Sequence, residues 1–174
     1  DNSGKAASCI QNLIFSGIHV DNYSLGNDMI DFRAGHYHKV VIVNSTFSNC
    51  ARTFFRTDAG SEINYLTVRN NTFYKVATNA TSKDNNGLFH VRSAAGSGMI
   101  DYRIVNNMFY SILIDTDPEH AAGFPKFLSK SGLKPNVIAN NYYYNIEERE
   151  ERSAYSWWSY CSREEGLAGG GAVL

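Results

Sequence analysis

Ile42-Val43-Asn44-Ser45-Thr46-Phe47-Ser48-Asn49-Cys50 returns, with substitutions, as Val68-Arg69-Asn70-Asn71-Thr72-Phe73-Tyr74-Lys75-Val76 and as Ile104-Val105-Asn106-Asn107-Met108-Phe109-Tyr110-Ser111-Ile112. It returns again as Ile138-Ala139-Asn140-Asn141-Tyr142-Tyr143-Tyr144-Asn145-Ile146, and Ile10-Gln11-Asn12-Leu13-Ile14-Phe15-Ser16-Gly17-Ile18 reads as a further copy. Each copy places an aliphatic residue, Asn two later, an aromatic three beyond that, and a small or aliphatic residue three further on. The Asn-to-Asn steps are 32, 26, 36 and 34 residues. Repetition at roughly 20 to 50 residues means an array in which one unit cannot bury its apolar face alone.

The unit is β. Its apolar runs are short, β-branched or aromatic, and bounded by Asn, Gly and Ser, with no 3.6-residue period long enough for a helix pair. A leucine-rich repeat would show Leu at several fixed places, and this phrase does not. The expected fold is therefore all-β, a right-handed parallel β-helix of about five coils carrying an Asn ladder and an aromatic stack. Where a strand bends sharply into the next, Asn tolerates the left-handed backbone best after Gly. Stacked strands lie about 4.8 Å apart, so equivalent amides can hydrogen-bond up the stack. Asn12, Asn44, Asn70, Asn106 and Asn140 are the expected ladder, and Phe15, Phe47, Phe73, Phe109 and Tyr143 the stack beside it.

Residues 1–146 read as the repeats, continuing N-terminally in a longer chain because residues 1–8 offer no cap. Residues 147–174 read as a C-terminal cap or an atypical tail, rich in charge and then in Tyr155, Trp157, Trp158 and Tyr160. The composition is that of a globular domain, 43% hydrophobic and 19% charged. A net charge of −1 implies no bulk attraction to nucleic acid or to an anionic membrane. No run approaches the ~18 apolar residues of a membrane span. Three cysteines cannot make a disulfide framework; Cys50 occupies an apolar slot of the phrase and reads as a core residue.

Between the phrases lies a second recurrent segment: Met29-Ile30-Asp31-Phe32-Arg33-Ala34-Gly35, Thr53-Phe54-Phe55-Arg56-Thr57-Asp58-Ala59-Gly60, Leu88-Phe89-His90-Val91-Arg92-Ser93-Ala94-Ala95-Gly96, and a degraded Gly123-Phe124-Pro125-Lys126-Phe127. Arg56, Arg92 and Lys126 each precede the next phrase Asn by 14 residues, and Arg33 by 11. Strand alternation turns Ile30 and Phe32 to one side and Asp31 and Arg33 to the other. Hence Arg33, Arg56, Arg92 and Lys126 are expected to point outward one above another, flanked by Asp31 and His90.

Such a column suits an acidic polysaccharide, since the planar guanidinium fork binds both oxygens of a carboxylate. The alternative is that these arginines pair with Asp31, Asp58 or Glu62, or extend into solvent, where such pairs contribute little. Elimination beside a uronate carboxylate also needs a base, for which His90, His36, His38, Lys5 and Tyr23 are available types. Asp115-Thr116-Asp117-Pro118-Glu119 offers the oxygen ligands that Ca²⁺ prefers, without the glycine of an EF-hand loop; an acidic turn before proline is the competing reading. No protein metal site is assigned. Nothing resembles a phosphate loop, a nucleophile elbow or a nucleic-acid motif.

The phrase Asn-x-x-Phe with its repeated turns resembles right-handed parallel β-helices of the pectate-lyase-like superfamily. It is similar to secreted domains of polysaccharide-degrading Gram-negative gut bacteria that accompany chondroitinase-B-like and alginate-lyase-like proteins. Met29-Ile30-Asp31-Phe32-Arg33-Ala34-Gly35-His36, followed by Val40-Val41-Ile42-Val43-Asn44-Ser45-Thr46-Phe47, looks like the arginine-bearing segment and following coil of those lyases. The resemblance implies a catalytic role for Arg33, a base at Lys5 one coil earlier, and a secreted or surface location, in the periplasm or outer membrane. The leading expectation is thus a carbohydrate-active domain that binds an acidic polysaccharide, and cleaves it by β-elimination if catalytic. The alternative is a noncatalytic structural or adhesion module.

Overall fold

The computed structural model describes residues 9–23, 28–76, 87–92, 99–112, 126–128, 133, 135–144 and 172–173. Among them are thirteen strands and no helix. They are β1 (Cys9–Ser16), β2 (His19–Asp21), β3 (Ile30–Val43), β4 (Thr46–Cys50), β5 (Phe55–Arg69), β6 (Thr72–Val76) and β7 (Gly87–His90). Then follow β8 (Asp101–Val105), β9 (Met108–Tyr110), β10 (Lys126–Leu128), β11 (Val137–Ala139), β12 (Tyr142–Tyr144) and β13 (Ala172–Val173).

The strands form two sheets, and every pairing between described strands is parallel. One runs β1-β3-β5-β7-β10, with β8 joining β5 and β11 joining β8; the other runs β13-β12-β9-β6-β4-β2. From β1 to β6 the chain deals strands alternately into the two sheets; later the first sheet takes two strands in succession, β7 with β8 and β10 with β11, before the chain returns to the second, and each repeat lies beside the repeats before and after it. The separation of bonded partners keeps the last three steps of the sequence period, with Ser45 to Asn71 26 residues, Asn71 to Asn107 36 and Asn107 to Asn141 34, while the first is 27, from Ile18 to Ser45, in place of 32.

The corner between the sheets is made where the backbone turns left-handed, at Asn44 (φ 52), Asn70 (φ 56), Asn106 (φ 55) and Asn140 (φ 54). That expectation holds, but two details of the ladder are corrected. First, the corner of the earliest repeat is Gly17 (φ 66), whose N–H donates to Val43 O at 3.3 Å. Asn12 instead pairs with Lys39 inside straight β1, Phe15 pairs with Ile42, and Val20 takes the aromatic slot opposite Phe47. Second, the amides that bond up the stack belong to the following residues, because the corner side chain points into solvent and its successor turns inward.

The ladder runs as follows. Ser45 N donates to Asn71 Oδ1 at 3.0 Å, Asn71 N to Asn107 Oδ1 at 3.0 Å, and Asn107 N to Asn141 Oδ1 at 2.8 Å. Each Nδ2 also donates to a carbonyl of the repeat before: Asn71 to Ile42, Asn107 to Val68 and Asn141 to Ile104. Backbone groups at a buried corner have no sheet partner, and these side chains supply one.

The aromatic stack forms inside. Phe47, Phe73, Phe109 and Tyr143 follow one another at centroid distances of 5.4, 4.9 and 5.4 Å, with interplanar angles of 18° or less. Phe54, 0% exposed, is driven edge-on against Phe73 at 4.7 Å and tilted against Phe47 at 4.5 Å. Burying each ring contributes about 1.5–3 kcal/mol. Cys50 sits in this core as expected, its thiol pushed up to about 11 chiefly by burial. Of the 147–174 segment only Ala172–Val173 is described; it pairs with β12 at Tyr142 and Tyr143. No helix among the described residues is long and apolar enough to cross a membrane.

Candidate functional site

The outward face at the start of β3 and β5 carries the charged residues singled out in the sequence. Alternation places them there: Phe32, Phe55, Thr57, Phe89 and Val91 are buried, so Asp31, Arg33, Arg56 and Asp58 face out. The arginines do not form one column, however. Asp31 pairs with Arg56 and Arg56 with His90, so that row reads carboxylate, guanidinium, imidazole. The register shifts between Phe32 and Ala34, and Ala34 meets Gly60, which brings Arg33 to the Asp58 side of β5. Arg92 is tied to Thr57, its N–H donating to Oγ1 at 2.6 Å while Oγ1 donates to the Arg92 carbonyl at 2.7 Å. Like charges side by side would repel, and this register alternates them instead.

The bonds follow from that alternation. Arg33 Nε donates to Asp31 Oδ2 at 2.8 Å, while the rest of its side chain, 71% exposed, reaches into solvent. The hydrogen bond to Asp31, then that carboxylate's charge, raises the Arg33 pKa. Arg56 is more enclosed. Its Nε and Nη2 lie 3.2 and 3.1 Å from Asp58 Oδ1, and its Nη1 lies 3.2 Å from Asp28 Oδ2. Burial pulls the Arg56 pKa down, but the bonds to Asp58 and Asp28 outweigh it and the net shift is upward.

His90 is 0% exposed. Burial first, then the charges of Arg92 and Arg56, lowers its pKa to about 4, so it is neutral at neutral pH. Lys126 lies in β10 opposite Gly87, outside the row of Arg56 and His90. Lys5, and the Asp115 to Glu119 carboxylates considered for Ca²⁺, lie outside the described residues. No group of three His, Cys, Asp or Glu side chains among the described residues could hold a metal ion.

The other imidazoles are spread along β3. His36 is paired through Nδ1 with the Glu62 carboxylate, and His38 meets the Tyr65 ring edge-on at 5.2 Å. Tyr23 packs against the core. Sequence reasoning missed Asp28 as a partner of Arg56, since nothing in the repeat marks it. It also missed an outer tyrosine column on the second sheet, Tyr74, Tyr110 and Tyr144, stacked at 5.1 and 5.0 Å. That column could have been found: each of these tyrosines directly follows the aromatic slot of its phrase.

In chemical terms the first face holds three carboxylates, Asp28, Asp31 and Asp58, against three guanidinium groups, Arg33, Arg56 and Arg92. It is close to charge balance and offers directed hydrogen bonds rather than a broad positive field. Comparisons with known proteins find no family, no curated protein and no solved structure that matches the chain.

Proposed function

We propose that the chain is a right-handed parallel β-helix domain, pectate-lyase-like in architecture, that binds an acidic polysaccharide on the face bearing Arg33 and Arg56. Handedness rests on the parallel crossovers between strands of one sheet, which are right-handed in about 98% of cases. A secreted or surface location goes with such a partner.

The observation that carries the reading is Arg33. Its Nε is anchored on Asp31 and its guanidinium stands in solvent, which orients a free fork toward a ligand carboxylate. Asp31 Oδ1 is buried with no hydrogen-bond partner. With Nε held by Asp31, the two Nη groups remain to donate to both oxygens of a uronate carboxylate. His90 is enclosed and so is not the base of a β-elimination on this face. A noncatalytic scaffold is the second reading, favoured by the neutralisation of Arg56 between Asp28 and Asp58.

The test is retention on immobilised alginate, chondroitin and polygalacturonate across a salt gradient, with absorbance of unsaturated products followed in parallel. Salt-sensitive retention that Arg33→Ala abolishes supports the binding reading. Equal elution of variant and parent leaves the scaffold, and growth of the absorbance band replaces binding with lyase activity.

A further inference from the structure

Further along the first sheet, three side chains of different chemistry fall on one lateral line. Cys9 of β1 pairs with His36 of β3, and His36 pairs with Glu62 of β5. Register partners in a sheet lie about 4.8 Å apart and present their side chains to the same face. Tyr37 and Ile63, the next pair along, pack on the core, so His36 and Glu62 stand outside with Cys9. Cys9 is an exposed free thiol whose S–H donates to the Ile10 carbonyl at 3.8 Å, so it must rotate away from that carbonyl to meet His36.

The imidazole has a direction. Its Nδ1 is engaged by the Glu62 carboxylate on the β5 side. Nε2 lies across the ring from Nδ1 and so is turned away from β5, toward the side on which Cys9 stands. A nucleophile, a base beside it and a carboxylate that fixes the base form the arrangement by which thiols and hydroxyls are activated. We propose that Cys9 is a nucleophilic thiol served by His36 as base, with Glu62 as the positioning residue, and that the site takes an acyl ester.

The chemistry balances without a further reagent. The thiol proton passes to His36 Nε2 as Sγ bonds to the ester carbonyl carbon. The bond from that carbon to the alcohol oxygen breaks, and the imidazolium proton leaves with the alcohol. Water then cleaves the thioester on Cys9 to a carboxylic acid and restores the thiol. This site is independent of the saccharide reading, since it shares no residue with Asp31, Arg33 or Arg56.

The experiment uses the whole chain and p-nitrophenyl acetate, with the acetylated cysteine mapped by peptide mass. A burst of about one nitrophenolate per chain, with the acetyl group on Cys9, is expected. His36→Ala should slow the burst roughly a hundredfold, the lower end of what a positioned base contributes. Glu62→Gln should slow it less and displace its pH–rate profile, while the urea midpoints of both variants stay at the parent value. A Cys9 that acetylates no faster than the same cysteine in urea-unfolded chain overturns the proposal. So does a burst that His36→Ala leaves unchanged.

Discussion

Truncating Asn107 to Ala tests the ladder directly. The side chain takes part in four hydrogen bonds. Oδ1 accepts from Asn71 N and Nδ2 at 3.0 and 3.1 Å, and Nδ2 donates to Val68 O and Asn141 Oδ1, both at 3.0 Å. After truncation Asn71 Nδ2 keeps Ile42 O and Asn141 Oδ1 keeps the Asn107 backbone N–H. The Asn71 N–H and the Val68 carbonyl are left without these partners, at a position where Asn107 is 1% exposed. Each stranded buried group costs about 1–3 kcal/mol, so the variant should lose roughly 4 kcal/mol. That is a large share of the ~5–15 kcal/mol by which a domain is stable.

The control is one residue away. Asn106 is exposed and only supplies the left-handed corner, so Asn106→Ala should cost about 1 kcal/mol and Asn106→Gly close to nothing. Urea unfolding of the three variants, compared at equal m-value, reads the difference. If Asn107→Ala costs less than Asn106→Ala, the amide ladder is not where the structure places it.

Two further outcomes are expected. Phe73, buried and stacked on both sides, should cost about 3–5 kcal/mol when truncated to Ala; a urea midpoint equal to the parent's would remove it from the stack. His90 should make stability depend on pH. In the unfolded chain it takes its proton near 6.5, and in the folded chain only near about 4. The unfolded state therefore binds more protons in that window, and stability present above it falls as the pH drops through it. At ~1.4 kcal/mol per pH unit the loss is about 3 kcal/mol. His90→Gln should flatten that part of the profile, and a variant as steep as the parent would assign the slope to other groups.

The sequence made the parallel repeats legible because the Asn corner and the aromatic slot impose the same spacing wherever they occur. It misled in the first repeat, where Asn12 and Phe15 match the pattern by composition while lying inside a straight strand. Gly17 does the same conformational work as Asn44 without looking like it. The ladder was placed one residue early because the pattern marks the corner, and only the geometry shows that Asn70 points out while Asn71 turns in. The charged face failed for a different reason. Equal spacing of Arg56 and Arg92 from the next Asn suggested alignment, but Arg56 pairs with His90, and the later repeat has extra residues before Asp101 meets Tyr65. Ion pairing is set by lateral register, which spacing to one landmark cannot report. The line from Cys9 through His36 to Glu62 was hidden in the same way, since its members are contiguous only across strands.

The ladder also bears on how the molecule gives way under load. Its rungs are bonded in series, with Ser45, Asn71, Asn107 and Asn141 each fastened to the next. Tension applied between the ends would meet these fastenings one after another rather than all at once. A tethered chain stretched by an optical trap should therefore lengthen in discrete steps, each releasing one rung's worth of contour, and the step sizes should echo the unequal 26-, 36- and 34-residue intervals.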